Sequence, residues 1–297
     1  MPTAYRDPVS TPAALATNPR VGRDRPVVSL TSDFGARDPS GAICKGVVLS
    51  IAPRATVIDI SHEVAKFQVR DGALLLWCAL PYLPVGVHVA VVDPGVGTER
   101  LPIAIRTARG DVLIGPDNGL LLPAAERLGG VIGAHVLENP AYRLPVVTTS
   151  FHGRDIFAPA AAHLVLGVPL AELGPVHDLG KLVRLDWPTA RIAGSALETS
   201  AVYEDTFGNV KLAGERTDLE AAVGALAPGD ELLLTWSDAA GAHEARLPWV
   251  ETFGRVAAGQ PLVYQDSYGR LGLAANQASI AALLGLHADQ PLTIRRG

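Results

Sequence analysis

The chain has 297 residues, of which 48% are hydrophobic and 19% are charged, and its formal net charge is −5. This composition supplies a core for one large or two ordinary domains and excludes a disordered protein. No Lys/Arg run is present and no apolar stretch reaches about 18 residues, so we expect neither a nucleic-acid partner nor a membrane span.

Residues 1–25 are rich in Pro, Thr, Arg and Ala and lack the apolar core of a signal peptide, which predicts a loose leader tail. Cys44 and Cys78 are the only cysteines, and each stands in an apolar stretch, "AICKGVVL" or "LLLWCALPY". Buried, inert thiols are therefore favoured over a disulfide or a metal site. This cysteine usage fits a reducing, cytoplasmic setting.

Strands and helices alternate from Pro26 onward. Strands are predicted in "VVSL", "ATVIDISHEV" and "VHVAVVDPG", and a hairpin turning at Arg109-Gly110 in "LPIAIRTARGDVLIGPDNG". Helices are predicted in "SGAICKGVVLSIAP", "VRDGALLLWCALPYLP", "LLLPAAERLGG" and "DIFAPAAAHLVLG". The pattern indicates an α/β domain with a mostly parallel sheet over 26–188.

The sequence pattern changes after a predicted linker at 189–194, from alternating strands and helices to mostly short strands. Short alternating segments such as "ALETSAVYEDTFGNVKL", "ELLLTWSD", "HEARLPWV" and "QPLTIRRG" dominate 195–297, and helical signal is limited to "DLEAAVGAL" and "ASIAALLGL". This predicts a smaller, antiparallel, barrel-like β-rich domain.

Polar side chains follow three predicted strands of the first domain: Asp33, then Asp93, then Asp117 with Asn118. Ligands of parallel sheets bind beyond the carboxyl ends of the strands, so the three tips are candidates for one crevice. The alternative is that each Asp or Asn only closes a local turn.

His152 stands with Gly153, Arg154 and Asp155 before an apolar helix in "TTSFHGRDIFAPAAAHL". Asp155 is a candidate N-cap, and capping needs neither His152 nor Arg154. A His at this place suits a ligand contact or a proton transfer, although a packing role stays open.

Familiar nucleotide and nucleophile motifs are missing from the sequence. It contains no G-x-G-x-x-G after a strand, no G-x-x-x-x-G-K-[ST] and no G-x-S-x-G. His62 and Glu63 in "DISHEV" invite a metal interpretation, which is weak because no second His follows at helical spacing.

Taken together, "TSDFG", "DISHEV", "VVDPGVGTER", "GPDNGLL", "FHGRDIFAPAAAHL" and "FGNVKL" closely resemble the S-adenosyl-L-methionine hydroxide adenosyltransferases. These adenosine-forming hydrolases are related to enzymes that fluorinate or chlorinate the same substrate. The resemblance spans about 26–297. It implies an α/β domain, a β-rich domain and a homotrimer with active sites between subunits.

The resemblance also implies that Asp93, Arg100 and His152 hold the attacking water, with no metal and no cofactor. Either Asp93 or His152 is then the base. Substrate contacts are implied at Asp33, Asp38, Ser40, Phe67, Asp186, Phe207, Asn209 and Ser267, and at Asp205 or Glu204 for the methionine ammonium.

Two alternatives remain: a halogenase, and a protein that binds S-adenosylmethionine or adenosine without turnover. A carboxylate at Asp93 would repel a halide, and Tyr268 stands where the halogenases have Arg. The fluorinating enzymes also carry an inserted loop where this chain has the short "RTARGDV".

Overall fold

A computed structural model describes residues 26–297, so the predicted leader tail over 1–25 lies outside the described residues. They divide into two compact units, one ending at Asp186 and the other beginning at Trp187. Among the helices of residues 26–297, none is both long and apolar enough to cross a bilayer.

The first unit is built on a six-stranded sheet in the order β2-β1-β3-β5-β4-β6. The strands are β1 (Val27–Ser32), β2 (Thr56–Ser61), β3 (Val87–Val91), β4 (Pro102–Thr107), β5 (Val112–Pro116) and β6 (Val131–Val136). The pairs β1-β2, β1-β3 and β3-β5 are parallel, and β4 runs antiparallel to both β5 and β6. The predicted, mostly parallel sheet is confirmed.

Helices cover this sheet, and its central strands β1, β3 and β5 are buried along their whole length. They are α1 (Ser40–Ile51), α2 (Val69–Ala79), α3 (Leu122–Arg127) and α4 (Ala158–Val165), with a π-helical turn at Gly153–Phe157 before α4. One core packs alternate residues of β1 and β3 against α1 and α4. The carboxyl ends of β1 and β3 therefore lie beside each other at one edge of the layers.

Two local features differ from the sequence prediction, and a third agrees with it. Strand β6 was not predicted, because "VIGAHV" follows a helix closely and its sheet neighbour β4 lies 24 or more residues earlier. The helix predicted from Val69 to the "LPYLP" region ends at Ala79 and continues only as a 3₁₀ turn at Leu80–Tyr82. Cys44 and Cys78 are both buried, as predicted, and burial raises the pKa of the Cys44 thiol to about 12.

The second unit is an antiparallel eight-stranded sheet that is nearly barrel-shaped, which confirms the predicted β-rich fold. Its strands are β7 (Arg191–Ala193), β8 (Ala196–Glu204), β9 (Val210–Glu215), β10 (Glu231–Asp238), β11 (Gly241–Pro248), β12 (Pro261–Gln265), β13 (Arg270–Ala275) and β14 (Pro291–Arg296), with helices α5 (Arg216–Val223) and α6 (Ile280–Leu284). Part of the segment that we predicted as a linker, 189–194, is strand β7, which pairs with β8 through a tight turn at Gly194.

Candidate functional site

The loop after β3 returns Arg100 to the strand tip that carries Asp93. Two successive turns do this: Val96 N–H donates to the Asp93 carbonyl at 3.2 Å, and Thr98 N–H donates to Gly95 at 3.2 Å. Gly97 adopts a φ of +76°, and a Cβ there would lie 2.4 Å from the Thr149 carbonyl. The close backbone contact therefore requires glycine and fixes the loop against the segment that leads to His152.

The Arg100 guanidinium connects the two other members of the predicted set. Its Nε donates to Asp93 Oδ1 at 3.1 Å and its Nη2 donates to Oδ2. The same Nη2 lies 3.1 Å from Nδ1 of His152. The side chains of Asp93 and Arg100 are only 4% and 7% exposed, so this is a nearly desolvated ion pair. The structure thus brings together all three residues predicted to hold water.

A π-helical turn presents His152. The turn begins at Gly153, and Asp155 within it is fully buried. The Asp155 carboxylate accepts from the Thr148 N–H at 2.8 Å and from the Thr148 hydroxyl at 2.7 Å, and it pairs with Arg154 at 2.6 Å. The expectation that Asp155 caps the helix is wrong, because its carboxylate anchors the preceding loop instead. Helical turns of this kind are frequent at functional sites.

Burial shifts the proton affinities of Asp93 and His152 in opposite directions. Loss of hydration raises the pKa of Asp93 above its usual 3.8, although the Arg100 charge opposes this effect. Burial, helped by the charge of Arg100, lowers the pKa of His152 below 6.5. The site therefore combines a carboxylate of increased basicity with an imidazole that stays neutral at neutral pH.

Asp33 and Phe67 share one pocket with the catalytic candidates. The cavity encloses about 100 Å³ and is lined by Asp33, Phe34, Phe67, Asp93, Phe151 and His152, among others. Asp33 Oδ2 accepts from the Phe67 N–H at 2.9 Å, and Phe67, with a φ of +65°, keeps a ring that is 69% exposed. An exposed aromatic side chain beside a cavity that contains two carboxylates is suited to contact a ligand.

The expectation of three strand tips in one crevice is met only for Asp33 and Asp93. The Asp117 carboxylate instead accepts from the Val183 N–H at 3.0 Å and meets His177 at 3.2 Å. The Asn118 amide donates to the Val92 carbonyl at 2.8 Å and so supports the strand that ends at Asp93. Both side chains bond the protein's own backbone at positions far away in sequence.

Three further predicted contact residues of the first unit do not line the pocket: Asp38, Ser40 and Asp186. Asp38 Oδ1 accepts from the Ser40 N–H at 2.8 Å at the start of α1, where it satisfies a free helical amide. Asp186 is exposed at the end of the unit. Their predicted roles toward the substrate stay predictions.

The predicted residues of the second unit occupy two turns. Asp205 accepts from the N–H groups of Phe207 and Asn209 at 2.9 and 3.0 Å, and from the Asn209 amide at 2.9 Å. This turn leaves the Phe207 ring 79% exposed. Glu204 is the last residue of β8.

Ser267 is exposed in the turn between β12 and β13. The two turns of the second unit are joined by a buried ion pair, in which Lys211 Nζ lies 2.7 Å from Asp266 Oδ2. Lys211 follows Asn209 by two residues and Asp266 precedes Ser267, so this pair fixes both turns in register. Neither partner was singled out from the sequence.

Comparisons with known proteins identify the family of this chain. Residues 28–174 match the SAM hydroxide adenosyltransferase N-terminal domain, where SAM is S-adenosyl-L-methionine, and residues 199–293 match the C-terminal domain of the same family. The chain belongs to the SAM hydroxide adenosyltransferase family. The resemblance that the motifs indicated is thereby confirmed.

Several members and relatives of the family are similar over nearly their whole length. An (R)-S-adenosyl-L-methionine hydrolase from Salinispora tropica is 43% identical over 274 residues, 92% of this chain and 98% of the relative. One of the same name from Thermus thermophilus is 39% identical over 91% of this chain and 99% of its own. A fluorinase from an Actinoplanes species is 31% identical over 91% of this chain and 98% of its own.

Among solved structures, an uncharacterized conserved protein from Thermotoga maritima superposes with a TM-score of 0.83 at 31% identity. The match covers 91% of this chain and 100% of that one.

Sequence reasoning missed the aromatic wall of the pocket. Phe34 and Phe151 line the cavity and meet edge to face, with ring centroids 5.7 Å apart. The buried Phe157 ring lies 5.5 Å from the Arg100 guanidinium. Each Phe lies within five residues of Asp33 or His152, and that proximity was the available signal.

Proposed function

We propose that this chain hydrolyses (R)-S-adenosyl-L-methionine to adenosine and L-methionine. The observation that carries the proposal is the buried Asp93, Arg100 and His152 cluster at the wall of a small pocket. Family membership and the names of relatives at 39–43% identity support the substrate.

The reaction requires little beyond a positioned water. The water oxygen forms a bond to C5′, and the C5′–S bond breaks with its electron pair passing to sulfur. The sulfonium becomes the neutral thioether of L-methionine, and one proton leaves the water. Because the leaving group departs neutral, no acid is needed at sulfur, and we propose that neither a metal nor an organic cofactor takes part. Positioning and proton acceptance remain for the protein.

The hydrogen-bond directions favour Asp93 as the proton acceptor. A guanidinium has no acceptor, so Arg100 must donate to Nδ1 of His152. Neutral His152 then carries its proton on Nε2 and can donate a hydrogen bond to the water but cannot take its proton. Asp93, whose pKa burial raises, is then the acceptor that remains for that step.

Arg100 retains one donor for the developing hydroxide. Its Nη1 is buried and has no hydrogen-bond partner among residues 26–297. A buried unpaired donor is costly, which makes a bound water or hydroxide oxygen its natural partner.

The products identify the reaction. Purified protein is incubated with each sulfur epimer of the substrate, in ¹⁸O-labelled water, with and without chloride or fluoride. We expect adenosine labelled at its 5′-oxygen, formed faster from the (R) epimer. A 5′-halo-nucleoside would instead establish a halogenase, and tight binding with no product would establish a binding protein. Unlabelled adenosine would contradict water attack.

We further propose a cytoplasmic homotrimer whose sites combine residues of two subunits. The proposal rests on the resemblance and on the exposed Phe207 turn, which carries several of the implied substrate contacts. Sedimentation should give a trimeric mass. Mixing inactive Asp93→Ala and Asn209→Ala proteins through dissociation and reassembly should restore part of the activity, because some mixed sites then contain both intact residues. A stable, active monomer would contradict it.

A further inference from the structure

We propose that His62 is a positioning residue that fixes the tip of β1, and thereby Asp33 and Phe34, at the wall of the pocket. The inference goes beyond the proposed function and rests on it for its kinetic part. It assigns a role to "DISHEV", a motif that the chemistry of water attack does not use. His62 lies 30 residues from Ser32 in sequence, so the contact depends on the pairing of β1 with β2.

Three contacts join His62 to the last residue of β1 and to two residues of the loop that follows it. Its Nδ1 lies 2.7 Å from the hydroxyl of Ser32, which is 1% exposed. Its ring is stacked on Phe34 with an interplanar angle of 7° and centroids 6.4 Å apart. Its carbonyl accepts from the Gly35 N–H at 2.6 Å. The residue between Ser32 and Phe34 at this tip is Asp33.

The second ring nitrogen of His62, on the side away from Ser32, also has a partner. Nε2 lies 3.2 Å from Asp59 Oδ1, and Asp59 is paired with Lys45 at 2.6 Å. Both ring nitrogens are therefore occupied, and the ring plane is fixed by partners on opposite sides. A ring anchored in this way transmits the position of β2 to the tip of β1.

The neighbouring helix leaves space for this ring. A Cβ at Gly41 would lie 2.8 Å from Nε2 of His62 and 3.0 Å from two ring carbons. Glycine is unfavourable inside a helix, so its presence at the second residue of α1 is explained by the ring that it faces. Helix α1, strand β2 and the β1 tip thus meet at His62.

The consequence concerns binding more than chemistry. Asp33 and Phe34 line the pocket that contains Asp93 and His152, whereas His62 is not among the residues named for that lining. Loss of the His62 contacts leaves the catalytic cluster in place and loosens the part of the wall that carries Asp33 and Phe34. We therefore expect KM to rise about tenfold, with kcat within about threefold of the wild type.

The test compares three variants that remove different contacts. His62→Ala removes the ring and both side-chain hydrogen bonds, His62→Asn retains a polar atom near Ser32, and His62→Phe retains a ring to stack on Phe34. The matched control is His243→Ala, because His243 is also stacked on an aromatic ring, Trp236, and bonded to an Asp, Asp238, but in a hairpin of the second unit.

Amide hydrogen exchange supplies a readout that does not depend on turnover. Peptides covering 32–36 should exchange at least tenfold faster in His62→Ala, less so in the Asn and Phe variants, and unchanged in the control. Unchanged exchange in all three His62 variants would overturn the proposal whatever their activity. KM values equal to the control would overturn its functional part. A wild-type protein that makes no adenosine would refute the proposed function, while the exchange result would still decide the role of His62.

Discussion

Nη2 of Arg100 lies 3.1 Å from Nδ1 of His152, and the same guanidinium donates hydrogen bonds to both carboxylate oxygens of Asp93. Since Arg can only donate, this one contact fixes His152 as an acceptor at Nδ1. It also gives the two candidate bases different tasks. The sequence left that choice open, and our proposal of Asp93 as base and His152 as orienting donor rests on this geometry.

Asp93→Ala should lower kcat by about 10²–10⁴ with little change in KM, because the loss of a positioned acid–base group acts on the chemical step. Asp33→Ala should mainly raise KM, since its carboxylate holds the Phe67 backbone and faces the pocket. Steady-state kinetics on both variants, with melting temperatures, separate the two effects. If Asp93 were only a turn residue, its variant would keep full turnover per folded molecule.

The activity should have an acid limb below pH 6.5. Burial and the Arg100 charge lower the pKa of His152 below that value, so the imidazole is still neutral at pH 6.5. The same lowered pKa makes the stability of the fold depend on pH. Neutral His152 contributes its full stabilisation above the pKa that it has in the unfolded chain, about 6.5. That stabilisation is lost as the pH falls through the lower pKa that His152 has in the folded protein.

Profiles of kcat and melting temperature against pH check this. His152→Asn should flatten part of the acid decline in melting temperature. His163→Asn is the control, because burial also lowers the pKa of His163, which lies in α4 away from the pocket lining. It should flatten the stability profile and leave the acid limb of kcat where it is. An acid limb above pH 6.5 would contradict a neutral His152.

Gly41 and Gly46 of helix α1 should respond in opposite ways to the same substitution. A Cβ at Gly46 meets nothing within 4 Å, so Gly46→Ala should stabilise the protein by about 0.5–1 kcal/mol through helix propensity. Gly41→Ala should lower the melting temperature because the new methyl group collides with His62. Denaturant titrations of the two variants are the measurement, and equal stabilisation by both would show that the His62 ring is not held in place.

A buried polar network lies where strands β3 and β5 begin. It should control the stability of the fold at acid pH without affecting catalysis. His88 Nε2 lies 3.0 Å from Asp111, and Arg109 donates to the same carboxylate at 2.7 and 2.9 Å. Burial by itself would raise the pKa of Asp111, but the hydrogen bonds from His88 and Arg109 outweigh it and hold the pKa well below 3.8. Its stabilisation is therefore full above pH 3.8 and is lost as the pH falls below it.

Asp111→Asn should cost about 3–5 kcal/mol at neutral pH, because it leaves buried charge without its partner. Turnover per folded molecule should stay the same. The control, Asp238→Asn, breaks a solvent-accessible pair with His243 and should cost far less stability than Asp111→Asn. Urea unfolding at pH 7 and at a pH well below 3.8 measures both, and the difference between wild type and Asp111→Asn should shrink at the lower pH. A loss of kcat in Asp111→Asn at full folding would tie this network to the site.

The sequence alone determined the alternation of strands and helices, the hairpin at Gly110, the change to β-rich structure and the family. These features are local. They can be predicted from side-chain periods of 2 and 3.6 residues, from turn residues and from short motifs, without knowledge of long-range contacts. The loop from Asp93 to Arg100 belongs here too, because seven residues and two Gly are enough to bring its ends together.

Only the tertiary structure decided which polar strand tips share a pocket. Asp33, Asp93 and Asp117 follow strands in the same way, but Asp117 meets the backbone at Val183, 66 residues later, and is withdrawn from the pocket. The contacts of Arg100 with His152 and of Ser32 with His62 span 52 and 30 residues. Such pairs depend on the order of the strands in the sheet and on which of several possible partners a side chain contacts. The local periodicity of the sequence predicts neither.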